Sequence, residues 1–349
     1  MKKILFTGGG SAGHVIPNIA LIDDVLQKGN IDVCYMGTSG LEKRIVAERK
    51  IPYYEIHCPK LIRGGGWIGF CNNVRIPFAL SAAIKEARRG LEIFRPDLVF
   101  SKGGYVALPV VLAARKLKIP CFAHESDFSV GLANRLTAKK CERVFTSFAE
   151  TADTLPNGKY SGAPIRKSLF HHDRIKARKY FSLPLDKKVV LVFGGGSGSA
   201  AINQAVRKHL KSLTKDYAIL HVCGKDNVLF SVFKNYRQEE FVADMGMAYA
   251  CADLVVSRAG AGTVFEILAL KKPSILIPLE GQTRGDQKQN AAYFQKRGLC
   301  CLLPQKDLDR LPEAIAQAFA DKALHERLSA SNLAQGNENI LREVLFFLS

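Results

Sequence analysis

The sequence has no run of about 18 apolar residues, so nothing in it is long enough to cross a bilayer as a helix. Its nine cysteines contain no C-x-x-C pair and no regular spacing, and Cys300 and Cys301 are adjacent. That argues against a disulfide framework and reads as the reduced thiols of a cytosolic chain. The apolar stretch after Met1-Lys2-Lys3 is too short for a signal peptide and reads instead as a first strand. No short repeat or low-complexity segment appears, and no Asp-x-Asp pair stands where it would hold a divalent metal against a diphosphate. Acidic residues are scarce: 32 Asp and Glu face 50 Lys and Arg, for a formal net charge of +18. Such an excess asks for an anionic partner, whether nucleotide, nucleic acid or acidic lipid surface. Between Lys60 and Lys118 there are eleven basic residues and only three acids, Glu86, Glu92 and Asp97. A second basic cluster runs through Arg166, Lys167, Arg174, Lys176, Arg178 and Lys179.

What is present is a repeated alternation of apolar runs and helical segments. Strands are expected at Lys3–Thr7, Asp32–Gly37, Tyr53–Ile56, Leu98–Lys102, Cys121–His124 and Arg143–Thr146. The rhythm restarts after Gly162 with Val189–Phe193, Ala218–Cys223, Glu240–Val242, Leu254–Ser257, Ser274–Pro278 and Cys301–Leu303. Short apolar strands separated by helices indicate βαβ units and parallel sheets. A length of 349 residues suits two domains. The join is expected at Ser161-Gly162-Ala163-Pro164, giving Rossmann-like domains over 1–162 and 163–336. Ligands in such sheets bind beyond the carboxyl ends of the strands, so two facing domains would hold substrates in a cleft.

The loops carry the chemistry. Gly8-Gly9-Gly10-Ser11-Ala12-Gly13 satisfies G-x-G-x-x-G after a strand, the dinucleotide fingerprint. That reading also needs an acid at the end of the second strand, and Tyr35-Met36-Gly37-Thr38 supplies none. His14 follows at a helix start, where imidazolium is disfavoured, so it reads as a neutral proton acceptor; a histidine that merely packs there is the plain alternative. Gly194-Gly195-Gly196-Ser197-Gly198-Ser199, Gly103-Gly104 and His124-Glu125-Ser126-Asp127 end three further strands. Most telling is Arg258-Ala259-Gly260-Ala261-Gly262, followed by a helical pattern from Thr263. Small residues at a helix start admit an anion or pyrophosphate to the backbone N–H groups. Glu266 lies in the expected first turn, where it either accepts from ribose hydroxyls or closes a capping box with Thr263. Asp286, Gln287, Gln289 and Asn290 offer the hydrogen-bonding groups a sugar needs. Nucleotide on one side and sugar on the other point to a sugar nucleotide.

Together, GGGSAGHVIP, SKGGYVALP, HESD, GLANR, GAPIR, GGGSGSAAIN, RAGAGTVFE and GDQKQNA resemble the MurG family of bacterial glycosyltransferases, in unbroken order from about Ile4 to about Gly298. The resemblance implies an α/β, GT-B fold: two Rossmann-like parallel-sheet domains facing a cleft, with a C-terminal helix (about 337–349) crossing back to the first. It implies inverting transfer of N-acetylglucosamine from UDP-GlcNAc to the C4 hydroxyl of the MurNAc of lipid I, giving lipid II and UDP. His14 is then the candidate base. Ser11, Ala12 and Gly13 approach the donor, as do Asp127, Arg166 and Gly196. Val242 borders the uracil, Ala261, Gly262, Thr263, Val264, Phe265 and Glu266 cover ribose and phosphate, and Gln287 meets the sugar. No cofactor or metal is implied. The acceptor's lipid tail places the chain at the cytoplasmic face of the inner membrane, where Trp67, Ile68, Phe70 and Arg75 are the candidate contacts with an anionic surface. Cell-wall synthesis proteins are the other partners implied, and no nucleic acid is.

Two departures stand out. Many members have Asn where this chain has Asp127, and GGSQGA where it has GGGSGS, so Gly196 replaces a serine. A paralogue glycosylating another lipid-linked acceptor and a UDP-GlcNAc 2-epimerase are the alternatives. A nucleic-acid binder would explain the charge but leave the glycine loops without purpose.

Overall fold

A computed structural model of the chain describes residues 1–60, 76–196, 198–280, 285–333 and 335–349. The chain forms two compact units, Met1–Arg166 with Ala334–Ser349, and Lys167–Leu333. The division falls just after the Ser161–Pro164 turn.

The first unit holds a seven-stranded parallel sheet: β1 (Lys2–Thr7), β2 (Ile31–Gly37), β3 (Tyr53–Glu55), β4 (Leu98–Ser101), β5 (Cys121–Glu125), β6 (Arg143–Thr146) and β7 (Gly158–Tyr160). Their spatial order is β3-β2-β1-β4-β5-β6-β7. Successive side chains of a strand face opposite ways. Ile4, Phe6, Tyr35, Phe100, Phe122 and Phe145 therefore pack on one side, against Val15, Ile19 and Ile22 of the helix Ala12–Lys28. Leu5, Cys34, Met36, Val99, Cys121 and Val144 pack on the other, against Ala87 and Leu91 of Ile76–Phe94 and Val110 and Val111 of Ala107–Lys116. Both faces are covered, which is why the strands read as continuous apolar runs.

The helix Gly336–Leu348 completes this unit, inserting Ile340, Leu341, Val344 and Leu348 into the first face. Its start is fixed by polar contacts. Asn337 is 4% exposed; its Oδ1 accepts from the Ile165 N–H at 2.7 Å, and its Nδ2 donates to Asp24 Oδ2 at 2.7 Å. Asn339 donates to the Ser161 carbonyl at 2.9 Å, and Lys159 pairs with Glu343 at 2.6 Å.

The second unit holds a six-stranded parallel sheet: β8 (Lys188–Phe193), β9 (Tyr217–Val222), β10 (Tyr236–Glu239), β11 (Leu254–Ser257), β12 (Ser274–Leu276) and β13 (Cys301–Leu302), ordered β10-β9-β8-β11-β12-β13. Val190, Val192, Ile219, Leu254, Val256 and Ile275 form the heart of its core.

The edges depart from expectation. Glu240–Val242 is not a strand: β10 lies just before it, and Phe241 is 69% exposed. An edge strand buries little, so polar Arg237, Gln238 and Glu239 pair with β9 while the nearby apolar residues do not. The edge strand β7, with two exposed residues of three, has no apolar signal in the sequence.

Replacing Asn337 with Ala removes the contacts at Ile165 and Asp24 and leaves buried partners unsatisfied. We expect a loss of about 2–4 kcal/mol in urea unfolding. A change within about 0.5 kcal/mol would show that apolar packing alone holds the helix.

Candidate active site

In each sheet the strand order reverses once, between β1 and β4 in the first and between β8 and β11 in the second. At such a point the connections leave in opposite directions and open a crevice beyond the carboxyl ends. The small-residue loops after β1, β4, β8 and β11 sit there.

In the first unit the glycine loop after β1 is braced from below. Tyr35 donates its hydroxyl to the Gly8 carbonyl at 2.6 Å, and Asn18 donates to the Thr7 carbonyl at 3.1 Å. Glu42, fully buried at the start of Leu41–Ala47, accepts from the Gly10 N–H at 3.3 Å and from the Thr38 N–H at 3.1 Å. A carboxylate thus occupies a backbone donor that a phosphate would otherwise take. Ser11, Ala12 and Gly13 are exposed at the helix start, with Ser11 as N-cap. His14 is half-buried; its Nδ1 lies 3.1 Å from the Gly9 carbonyl oxygen and 3.0 Å from Ser11 Oγ. A carbonyl only accepts, so Nδ1 carries a hydrogen and points it at Gly9.

Gly104, from the loop after β4, closes over this arrangement at a φ of +79°. A Cβ there would lie 2.5 Å from the Gly9 oxygen and 3.0 Å from His14 Nδ1. Only glycine satisfies both the backbone conformation and the space.

At the end of β5, the polar residues His124 to Asp127 divide into a buried pair and a partly exposed pair. His124 is fully buried, and its Nε2 lies 3.2 Å from the Gly162 carbonyl. Burial, with Lys102 beside it, holds this imidazole well below its ordinary value of 6.5. Glu125 is 5% exposed and organises the following loop, accepting from the Asp127 N–H at 3.1 Å, the Gly131 N–H at 2.7 Å and Asn134 Nδ2 at 2.9 Å. Ser126 and Asp127 remain partly exposed.

In the second unit the helix Ala261–Ala269 starts at the end of β11 with Gly260 as N-cap. It begins earlier than the expected Thr263. Glu266 therefore lies in the second turn, which removes the capping-box reading. Instead Glu266 accepts from the buried Tyr249 hydroxyl at 3.2 Å and stays partly exposed. A Cβ added at Gly260 or Gly262 would meet nothing within 4 Å, so this helix N-terminus has open space before it. Val264 and Phe265 are 1% and 4% exposed, leaving only their backbone for a ligand. Gln287 accepts from the Leu279 N–H at 3.0 Å, which fixes its amide at the start of Asp286–Lys296. Gly196 is exposed in the loop after β8, and Val242 is 8% exposed beyond β10. Arg166, half-buried, ends the first unit's main segment.

Sequence reading assigned no role to Glu42, Arg258, Tyr249 or Lys102. Arg258 is 9% exposed and donates to Ser199 Oγ at 2.8 Å, Gln305 Oε1 at 2.6 Å and the Pro278 carbonyl at 3.2 Å. It ties three strand-end segments together beneath the Gly260–Gly262 loop. Its available signal was a charged residue in an otherwise small-residue stretch. The one Asp-x-Asp spacing, Asp307-Leu308-Asp309, lies in the short turn Gln305–Arg310, and Asp309 pairs with Lys208 at 2.6 Å. Trp67, Ile68, Phe70 and Arg75 lie outside the described residues.

Comparisons agree with this architecture. Residues 4–146 match the glycosyltransferase family 28 N-terminal domain, and residues 189–343 match the family's C-terminal domain. The class is a GT-B glycosyltransferase. A relative from Clostridium perfringens (strain SM101 / Type A) is 41% identical over 351 residues, covering 97% of this chain and 96% of its own. That relative is named UDP-N-acetylglucosamine–N-acetylmuramyl-(pentapeptide) pyrophosphoryl-undecaprenol N-acetylglucosamine transferase. The crystal structure of Acinetobacter baumannii MurG superposes with a TM-score of 0.76 at 25% identity, covering 99% of both chains. The chain belongs to the MurG family within glycosyltransferase family 28. A UDP-GlcNAc 2-epimerase from Neisseria meningitidis shares the fold alone, with a TM-score of 0.69 at 17% identity over 100% of this chain and 99% of that one.

Gly104→Ala should displace the Gly9 carbonyl and the His14 ring, lowering turnover by about 10²-fold while the circular dichroism spectrum stays native. Turnover within about twofold of wild type would show that the close approach does not position His14.

Proposed function

We propose that the chain transfers N-acetylglucosamine from UDP-GlcNAc to the C4 hydroxyl of the MurNAc of lipid I, releasing UDP and forming lipid II. The observation that carries this is the 41% identity, over 97% of the chain, to a relative named for that transfer. The oriented His14 ring and the open helix N-terminus at Ala261 supply the chemistry it needs.

The donor's phosphates are held by the N–H groups of Ala261, Gly262 and Thr263, where the helix dipole favours negative charge. Glu266, oriented by Tyr249, accepts from the ribose hydroxyls, and Gln287 donates to the sugar. Val242 borders the uracil, and Ser11, Ala12, Gly13, Asp127, Arg166 and Gly196 complete the donor contacts. The acceptor oxygen attacks the anomeric carbon opposite UDP. The new C–O bond forms as the bond to the β-phosphate oxygen breaks, and the electron pair leaves with UDP. The acceptor's proton passes to His14 Nε2, a contribution of about 10²–10⁴-fold. Arg166 and the backbone N–H groups stabilise the departing diphosphate.

The acceptor's tail stays in the bilayer, so the enzyme works peripherally at the cytoplasmic face of the membrane. No helix among the described residues is long and apolar enough to cross it. Phe78, 81% exposed, and the exposed Lys85, Arg88 and Arg89 lie on the helix Ile76–Phe94, which follows the segment holding Trp67, Ile68, Phe70 and Arg75. An apolar and basic surface of this kind suits anionic headgroups.

The deciding measurement is UDP release by purified protein from UDP-GlcNAc, with and without a short-chain lipid I analogue, in EDTA. Acceptor-dependent release of UDP is expected. Donor binding without turnover would assign another lipid-linked acceptor, and interconversion of UDP-sugars without release would assign an epimerase. His14→Ala should lower kcat by about 10²–10⁴-fold and leave UDP affinity near wild type; near-normal turnover would remove His14 as the base. Trp67→Glu should weaken sedimentation with anionic liposomes, whereas unchanged sedimentation would exclude this membrane contact.

A further inference from the structure

Lys102 stands directly after β4, at the reversal point of the first sheet, and is 1% exposed. Its backbone N–H donates to the Thr7 carbonyl at 2.8 Å, and a Cβ added at Gly8 would lie 3.0 Å from its own Cβ. The loop that carries His14 therefore rests on this residue. At the other end its ammonium donates to Ser126 Oγ. A buried lysine is rare and costly unless its charge is used. An apolar side chain of similar length would fill the same space at lower cost.

We propose that Lys102 is a positioning and charge-balancing residue of the donor site, fixing the Ser126–Asp127 turn and offsetting the carboxylates of Glu125 and Asp127 where a nucleoside diphosphate sugar enters. This rests on the donor reading above. The turn is held from two sides: the Asp127 N–H is taken by Glu125, and Ser126 receives the Lys102 ammonium. Without that ammonium the carboxylates of Glu125 and Asp127 lose the cation beside them, and the local charge turns against an incoming diphosphate. Asp127→Asn removes one of those charges at nearly constant shape, so the effect of losing Lys102 depends on which residue stands at 127.

Among the described residues, the charged and titratable groups set against Lys102 are Glu125, Asp127 and His124. Burial lowers the Lys102 ammonium to about 8, with Glu125 and Asp127 pulling it back up. The charged form therefore prevails below about pH 8 and is lost above it.

The test compares full-length wild type, Lys102→Met, Asp127→Asn and the double variant, using UDP-GlcNAc and a short-chain lipid I analogue between about pH 6.5 and pH 9.5. Lys102→Met should raise the KM for UDP-GlcNAc about tenfold while kcat stays within about threefold. In the Asp127→Asn background the same change should raise KM about threefold or less. Wild-type KM should climb above about pH 8, and that climb should be absent from the double variant. Equal increases in both backgrounds would assign Lys102 to packing alone. An unchanged KM in Lys102→Met, or a flat wild-type KM to about pH 9.5, would overturn the proposal. If wild type transfers nothing to the analogue, the transferase reading fails by itself. The same comparison then runs on calorimetric affinities for UDP-GlcNAc, with the same outcomes deciding the role of Lys102.

Discussion

Parallel strands need crossover connections, and those connections fix where a ligand can approach. In each sheet of this chain the crossovers diverge at one place only, and backbone N–H groups, strand-end side chains and a helix start converge there. His14, Lys102 and Gly104 come from the loops of β1 and β4; Gly196 and Ala261–Thr263 come from those of β8 and β11. Sequence distance within each set is large, but the topology leaves them no other neighbourhood.

The two units use that opening differently. In the first, Glu42 takes the Gly10 N–H, and the loop presents a side chain, His14. In the second, small residues leave open space before the helix N-terminus. Similar glycine-rich loops thus differ in what they expose: a side chain in one unit and a helix N-terminus in the other. The difference follows from whether a buried carboxylate reaches the loop.

Legibility in the sequence followed burial. Strands with two neighbours, such as β4 and β11, appear as apolar runs because both their faces are covered. The edge strands β7 and β10 carry Lys159, Arg237 and Glu239, and their pairing leaves no compositional trace. The helix at Ala261 was placed late because Ala and Gly open a helix without a polar cap to mark it. His14, Glu266 and the small-residue loop were visible because their types are unusual at a strand end or helix start. Glu42 was invisible for a physical reason: it lies beyond the end of β2 and reaches its loop only through a turn. Lys102 looked like one more basic residue in a basic segment, and its burial appears only when β5 is laid beside β4.

The helix Gly336–Leu348 belongs to the unit that Met1 begins. During synthesis, therefore, the Ile4–Phe6–Phe100 face lacks Ile340, Leu341, Val344 and Leu348 until residue 348 has been made. The interposed unit, Lys167–Leu333, has all of its own strands by then. The first sheet, whose last strand ends at Tyr160, waits with an uncovered apolar face while the interposed unit is made, an aggregation-prone state.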